Sequence, residues 1–313
     1  MSVFDHPDNP IPPGAVAGFI EAEDGRRLRV VRWVSAASYQ RGTVCLFQGR
    51  AEFIEKYFET VRDLLARGFA VATFDWRGQG GSERAFRHSP RGHVGDFAEF
   101  GLDLEAFVTQ VVLPSCPPPY YALAHSTGGL ILLQNAATMR TRFRRYVLTC
   151  PFLGLGDYGF PEPLARGLAK VLGGVGLSGL YVFGGSARSI HLDPFEGNRL
   201  TGDERRYARN QALVEGLPGL AIGAPTIGWL GAAFNAISEV SDPDYAERLR
   251  IPTLIVATGG DRVVSTPAIE RFSLSSKVCH LITISGAEHE LLQERDAFRE
   301  QVWAAFDSFV PGS

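Results

Sequence analysis

The 313-residue chain is poor in the residues that build metal centres or disulfide frameworks. Its four cysteines, Cys45, Cys116, Cys150 and Cys279, are scattered, and neither Cys-x-x-Cys nor His-Glu-x-x-His occurs. No metal site or disulfide is expected, and the cysteines read as small buried hydrophobes. Repeats, low-complexity tracts and long runs of like charge are absent, and a net charge of −3 is too small to point to nucleic acid or to an acidic substrate. The opening residues, Met1 to Pro7, lack the basic-then-apolar character of an export signal, so a cytoplasmic location is expected. The nearest thing to a membrane span is Leu164–Phe183, but Arg166, Lys170 and five glycines interrupt it. It reads as a helix lining an apolar pocket, with shallow contact to a membrane surface as the second reading.

What is present is apolar residue in quantity, 45% of the chain, enough for one large core. Runs near Ala17–Glu21, Leu28–Trp33, Thr43–Gln48 and Ala70–Asp75 read as strands, with a helix near Phe53–Arg67. A helix near Phe97–Val112, then Tyr120–Leu123, a helical Leu130–Met139, Tyr146–Cys150, Pro252–Thr258 and Val278–Ile284 continue the alternation. This is the rhythm of an α/β fold with a mostly parallel, doubly wound sheet. It stops after Pro151 and resumes near Val240, too long an interval for a plain loop. Residues 153–239 are therefore expected to form an inserted helical cap, with 1–152 and 240–313 as the core.

Ala124-His125-Ser126-Thr127-Gly128 lies between an apolar strand and a helical stretch. Such a sharp strand-to-helix turn lifts the serine hydroxyl clear of the sheet and admits only small residues two positions either side. A nucleophilic serine needs a base, and the base needs an orienting acid. Asp261 follows the strand Pro252–Thr258 in a loop that ends at Thr266-Pro267, and His289 follows the strand Val278–Ile284. Ligands bind outside the carboxyl ends of parallel strands, so Ser126, Asp261 and His289 are expected to converge there. His6, His88, His93, His191 and His280 lack such a setting, and His125 is expected to pack rather than react. Asp75 also ends a strand, but the glycine-rich turn after it points to a structural role. An oxyanion would be held by two backbone amides, that of Thr127 and that of Arg50 in Gln48-Gly49-Arg50-Ala51-Glu52. Glu52 is expected to hold that loop by accepting backbone hydrogen bonds or pairing with a cation.

In these segments the chain resembles the α/β-hydrolase superfamily, and within it the monoacylglycerol lipase and bacterial lysophospholipase group. The resemblance rests on Gln48 to Glu52, Phe74 to Ser82, Ala124 to Gly129, Gly260 to Val264, Gly286 to Leu292, and the inserted runs Asn198 to Thr201 and Pro225 to Leu230. Gln48 stands where that group has histidine, and Ala124 where it has glycine. The resemblance implies a serine hydrolase that cleaves carboxylic esters, single-chain lipid esters above all, without a cofactor. A peptidase or carbon–carbon bond hydrolase on the same triad, an acyltransferase, and a non-catalytic binding protein remain open. For an aminopeptidase, Glu162, Glu196, Glu204 and Glu215 could supply carboxylates to the substrate amine.

Overall fold

A computed structural model describes residues 3–34, 40–87, 89–159 and 161–311; His88 lies outside the described residues. Eight strands form one sheet: β1 (Ala15–Glu21), β2 (Arg27–Trp33), β3 (Thr43–Phe47), β4 (Ala70–Phe74), β5 (Tyr120–His125), β6 (Arg145–Thr149), β7 (Thr253–Thr258) and β8 (Cys279–Ile284). Their spatial order is β1-β2-β4-β3-β5-β6-β7-β8. β1 and β2, and β2 and β4, pair antiparallel; every pairing from β4 onward is parallel. The inner strands β3, β4 and β7 are buried at every residue, the signature of a sheet covered on both faces. β1 and β8 stand at the edges and are partly exposed.

The helices depart from the sequence expectation where local chemistry intervenes. The helix expected over Phe53–Arg67 begins as a tight turn, Ile54–Tyr57, and becomes α-helical at Phe58–Ala66. The helix expected over Phe97–Val112 passes from α-helix, Ala98–Phe107, into a π-helical turn, Val108–Val112. The helix after the candidate nucleophile starts earlier than expected, at Thr127, and runs to Gln134. Between β6 and β7 lie helices Glu162–Gly174, Glu204–Gly216, Ile227–Val240 and Pro243–Arg248.

Leu164–Phe183 is not one helix. It ends at Gly174, where consecutive glycines and Gly176 at φ +85° release the chain. Nor does this run bury its apolar stripe: Leu164, Leu168, Val171 and Val175 are exposed, and of the helix only Ala169 is fully buried. The buried apolar residues of the insertion come mainly from Ile227–Val240, where Trp229, Phe234 and Ile237 join the main core.

Asp75 has the structural role expected of it. Arg29 of β2 reaches Asp75 Oδ2 at 2.7 Å and both carboxylate oxygens of Glu55 at 2.7 Å, with all three side chains fully buried. Asp75 also accepts the amides of Ile54 and Gly81, so it joins β2, the Ile54–Tyr57 turn and the glycine-rich loop. A Cβ at Gly80 would lie 2.2 Å from the Asp75 carboxylate, which is why that loop can wrap the acid only with glycine there. Asp75→Asn is expected to lower unfolding free energy by about 3–5 kcal/mol, because it leaves a buried guanidinium short of a charge partner. Denaturant unfolding measures the loss; an unchanged midpoint would remove Asp75 from this role.

Candidate active site

Ser126 sits between β5 and the helix Thr127–Gln134 with φ 50° and ψ −115°, a strained conformation for a residue with a side chain. The turn is possible because Gly128 lets that helix start against the end of β3: a Cβ there would lie 2.7 Å from the carbonyl oxygens of Phe47 and Gln48. On the other side, a Cβ at Gly49 would lie 3.2 Å from Ser126 Cβ, so the loop after β3 passes directly over the serine.

His289 Nδ1 lies 2.7 Å from Asp261 Oδ2, although the two are separated by 28 residues. The second oxygen, Oδ1, accepts the amides of Val263 and Val264 at 2.8 and 3.0 Å, which orients the carboxylate toward the ring. The His289 ring packs on that of His125, the neighbour of Ser126, at 4.7 Å between centroids. The structure thus brings Ser126, Asp261 and His289 to the carboxyl ends of β5, β7 and β8. Burial would lower the His289 pKa, but the Asp261 charge and hydrogen bond, aided by Glu290 and Glu52, outweigh it and hold it above its ordinary 6.5. Burial would raise Asp261, yet His289 and the two amides keep it below its ordinary 3.8.

The rival histidines are otherwise engaged. His125 is buried with Nδ1 against Thr149, and burial pushes its pKa down to about 3. His191 is likewise buried and pushed down to about 3, His93 contacts Thr226, and His280 lies on the exposed side of edge strand β8.

The loop Gln48 to Glu52 is held as expected, through Glu52. Its carboxylate accepts the Gly49 amide, the Tyr57 hydroxyl at 2.6 Å and Lys56 Nζ at 2.7 Å. The Arg50 amide has no hydrogen-bond partner among the described residues, and Thr127 opens its helix, where amides lack an intrahelical acceptor. Both are therefore free to donate to a developing oxyanion.

Sequence reasoning did not single out the partners of this loop. Lys56 Nζ also reaches Glu290 at 2.6 Å, so one ammonium joins the loop after β3 to the residue after His289. The adjacency of Glu290 to His289, and the four-residue step from Glu52 to Lys56, were the available signals. Cys150, after β6, was read only as a small hydrophobe. It adopts φ 44° and places its thiol against the Asp261 carboxylate; burial and that charge push the thiol well above its ordinary pKa. Ligand atoms of Cys150, Asp261 and His289 lie within 4.8 Å of one another, the one metal-like cluster among the described residues. The direct 2.7 Å contact between Asp261 and His289 leaves no space for an ion between them.

A mostly parallel sheet of this strand order, with a strained serine at the end of β5 and an acid–histidine pair beyond β7 and β8, defines an α/β-hydrolase. The family model described as serine aminopeptidase, S33, matches residues 38–296, and the chain belongs to that family. Lysophospholipase L2 of Escherichia coli (strain K12) is 32% identical over 292 residues, which cover 90% of this chain and 83% of the relative. A probable lysophospholipase L2 of Haemophilus influenzae is 29% identical over 279 residues, covering 88% and 86%. In structure the chain is similar to a soluble variant of monoglyceride lipase from Saccharomyces cerevisiae, with a TM-score of 0.75, 19% identity, and 94% and 96% of the two chains covered. That likeness shows the fold.

The imidazole must be neutral to accept a proton. With its pKa held above 6.5, kcat/KM is expected to be low in acid and to rise as pH increases through that raised value. Asp261→Asn should move the midpoint down and lower turnover on the order of 10⁴-fold. A pH–rate series on both proteins checks this; a profile flat from about pH 5 to 8 would rule out His289 as the base.

Proposed function

We propose that this protein is a serine hydrolase that cleaves the carboxylic ester of single-chain lipids, lysophospholipids or monoacylglycerols, through an acyl-enzyme. The observation that carries the reading is the Asp261–His289 pair, whose imidazole packs on His125, the residue before the strained Ser126. Ser126 Oγ attacks the ester carbonyl, and His289 takes its proton and passes it to the leaving alcohol. Asp261 fixes the imidazole tautomer and stabilises the imidazolium. The amides of Arg50 and Thr127 hold the oxyanion, and water activated by His289 releases the fatty acid. The lipid assignment draws its support from the lysophospholipase relatives.

Residues 153–239 act as the cap over this site. Among the described residues no helix is long and apolar enough to cross a membrane. The exposed stripe of Leu164, Leu168, Val171 and Val175 suits transient contact of a cytoplasmic enzyme with a membrane surface.

Peptidase chemistry is the second reading, because the family description names an aminopeptidase. It requires carboxylates aimed at a substrate amine. Glu162 is instead held by Arg166 and the Leu155 amide, while Glu196, Glu204 and Glu215 are solvent-exposed. These positions favour the ester reading.

Ser126→Ala is expected to abolish fluorophosphonate labelling and to reduce kcat by on the order of 10⁶. Full labelling of the mutant would place the nucleophile elsewhere. Along a series of single-chain esters, kcat/KM should rise about four-fold per methylene until the acyl site is filled. An optimum at acetyl would refute the lipid assignment, and a strict demand for a free amine would favour the peptidase.

A further inference from the structure

The amide of Arg50 has a place in the mechanism above; its side chain does not. The side chain is half-buried, and its Nη2 donates to the Gly223 carbonyl at 2.8 Å. Nε is fully buried with no hydrogen-bond partner. The guanidinium carbon lies 5.1 Å from the Trp229 ring, and no carboxylate pairs with it among the described residues. Burial pushes its pKa down to about 10, with Tyr158 and Tyr181 the ionisable groups near enough to oppose that fall. It is therefore still a cation at neutral pH. Buried arginines elsewhere in the molecule are satisfied by acids, as Arg29 is by Glu55 and Asp75 and Arg77 by Asp103 and Asp24. A guanidinium with a buried donor unmet is costly unless something else fills it.

The two tyrosines beside Arg50 carry further cations. Arg199 lies over Tyr158 at 5.2 Å and Arg91 over Tyr181 at 5.5 Å, and neither arginine pairs with a carboxylate among the described residues. Arg50 follows Gly49, whose backbone passes over Ser126, so its side chain leaves the loop one residue from the serine and runs toward Gly223 and Trp229 of the insertion. A lysophospholipid carries its phosphodiester a short glycerol linker away from its ester carbonyl, and a planar guanidinium matches phosphate oxygens with paired donors.

We propose that the Arg50 side chain is the receptor for the phosphodiester of a lysophospholipid head group, and that it makes the enzyme prefer such lipids over neutral monoacylglycerols. The proposal rests on the ester-hydrolase reading for its substrate but not for its test. Two ligands without a scissile ester serve as probes, an octyl glycerol ether and the same ether carrying a phosphodiester to a second glycerol. Calorimetric titration below their micellar concentrations gives both affinities. Wild type should bind the phosphodiester about 10–100-fold more tightly, Arg50→Met should lose that ratio, and Arg50→Lys should keep part of it. A wild type that binds both ethers equally, or an Arg50→Met that keeps the full ratio, would overturn the proposal. Inorganic phosphate is titrated alone; if it binds as tightly as the phosphodiester ether, the site serves a free anion and the head-group assignment falls. If the ratio holds while no lipid ester is hydrolysed, the anion site stands and the ester-hydrolase reading fails.

Discussion

One buried ammonium holds the catalytic edge of this molecule together. Lys56 is sealed from solvent between Glu52, which grips the loop after β3, and Glu290, the residue after His289. Burial would strip its proton, but the two carboxylates keep its pKa above the ordinary value. Burial would raise the Glu52 pKa, but the Lys56 charge and the hydrogen bonds from Lys56 and Tyr57 outweigh it and keep the carboxylate ionised, well below its ordinary value. The loop after β3 and the loop that carries His289 thus share one charge. A shift of either is felt by the other, because a buried ion pair tolerates little change in geometry.

The same edge is where the backbone is most strained. Among the described residues, the non-glycine residues with positive φ are Ala51, Ser126 and Cys150. They follow β3, β5 and β6, which are neighbours in the sheet. Such conformations persist only where the surroundings over-determine them. Here those surroundings are visible: Glu52 clamps the first loop, Gly128 admits the helix beneath the second, and the Cys150 thiol abuts Asp261 in the third.

The sheet was legible in the sequence because inner parallel strands are unbroken apolar runs, and the punctuating Gly and Pro residues mark their ends. The placement of Ser126, Asp261 and His289 was legible for a related reason: each stands in the loop or turn that follows such a run. What stayed hidden were contacts between charges far apart in the chain. Arg29, Glu55, Lys56 and Glu290 look like solvated surface residues in a linear reading, and only tertiary packing shows that they are buried and paired. Leu164–Phe183 misled in the opposite direction. Its apolar content implied a lining helix, but hydrophobicity alone does not say whether a stripe faces a pocket or the solvent.

The distance in sequence between the members of the Lys56 cluster has a consequence for synthesis. The clamp joins residues 234 positions apart, so a chain emerging from the ribosome displays its serine elbow long before the histidine loop exists. Until Glu290 arrives, Lys56 has one acid to face where the finished protein has two. The last strand to be made, β8, both completes the sheet and precedes the loop that brings His289 to Asp261, so the acid–histidine pair forms only when synthesis is almost over.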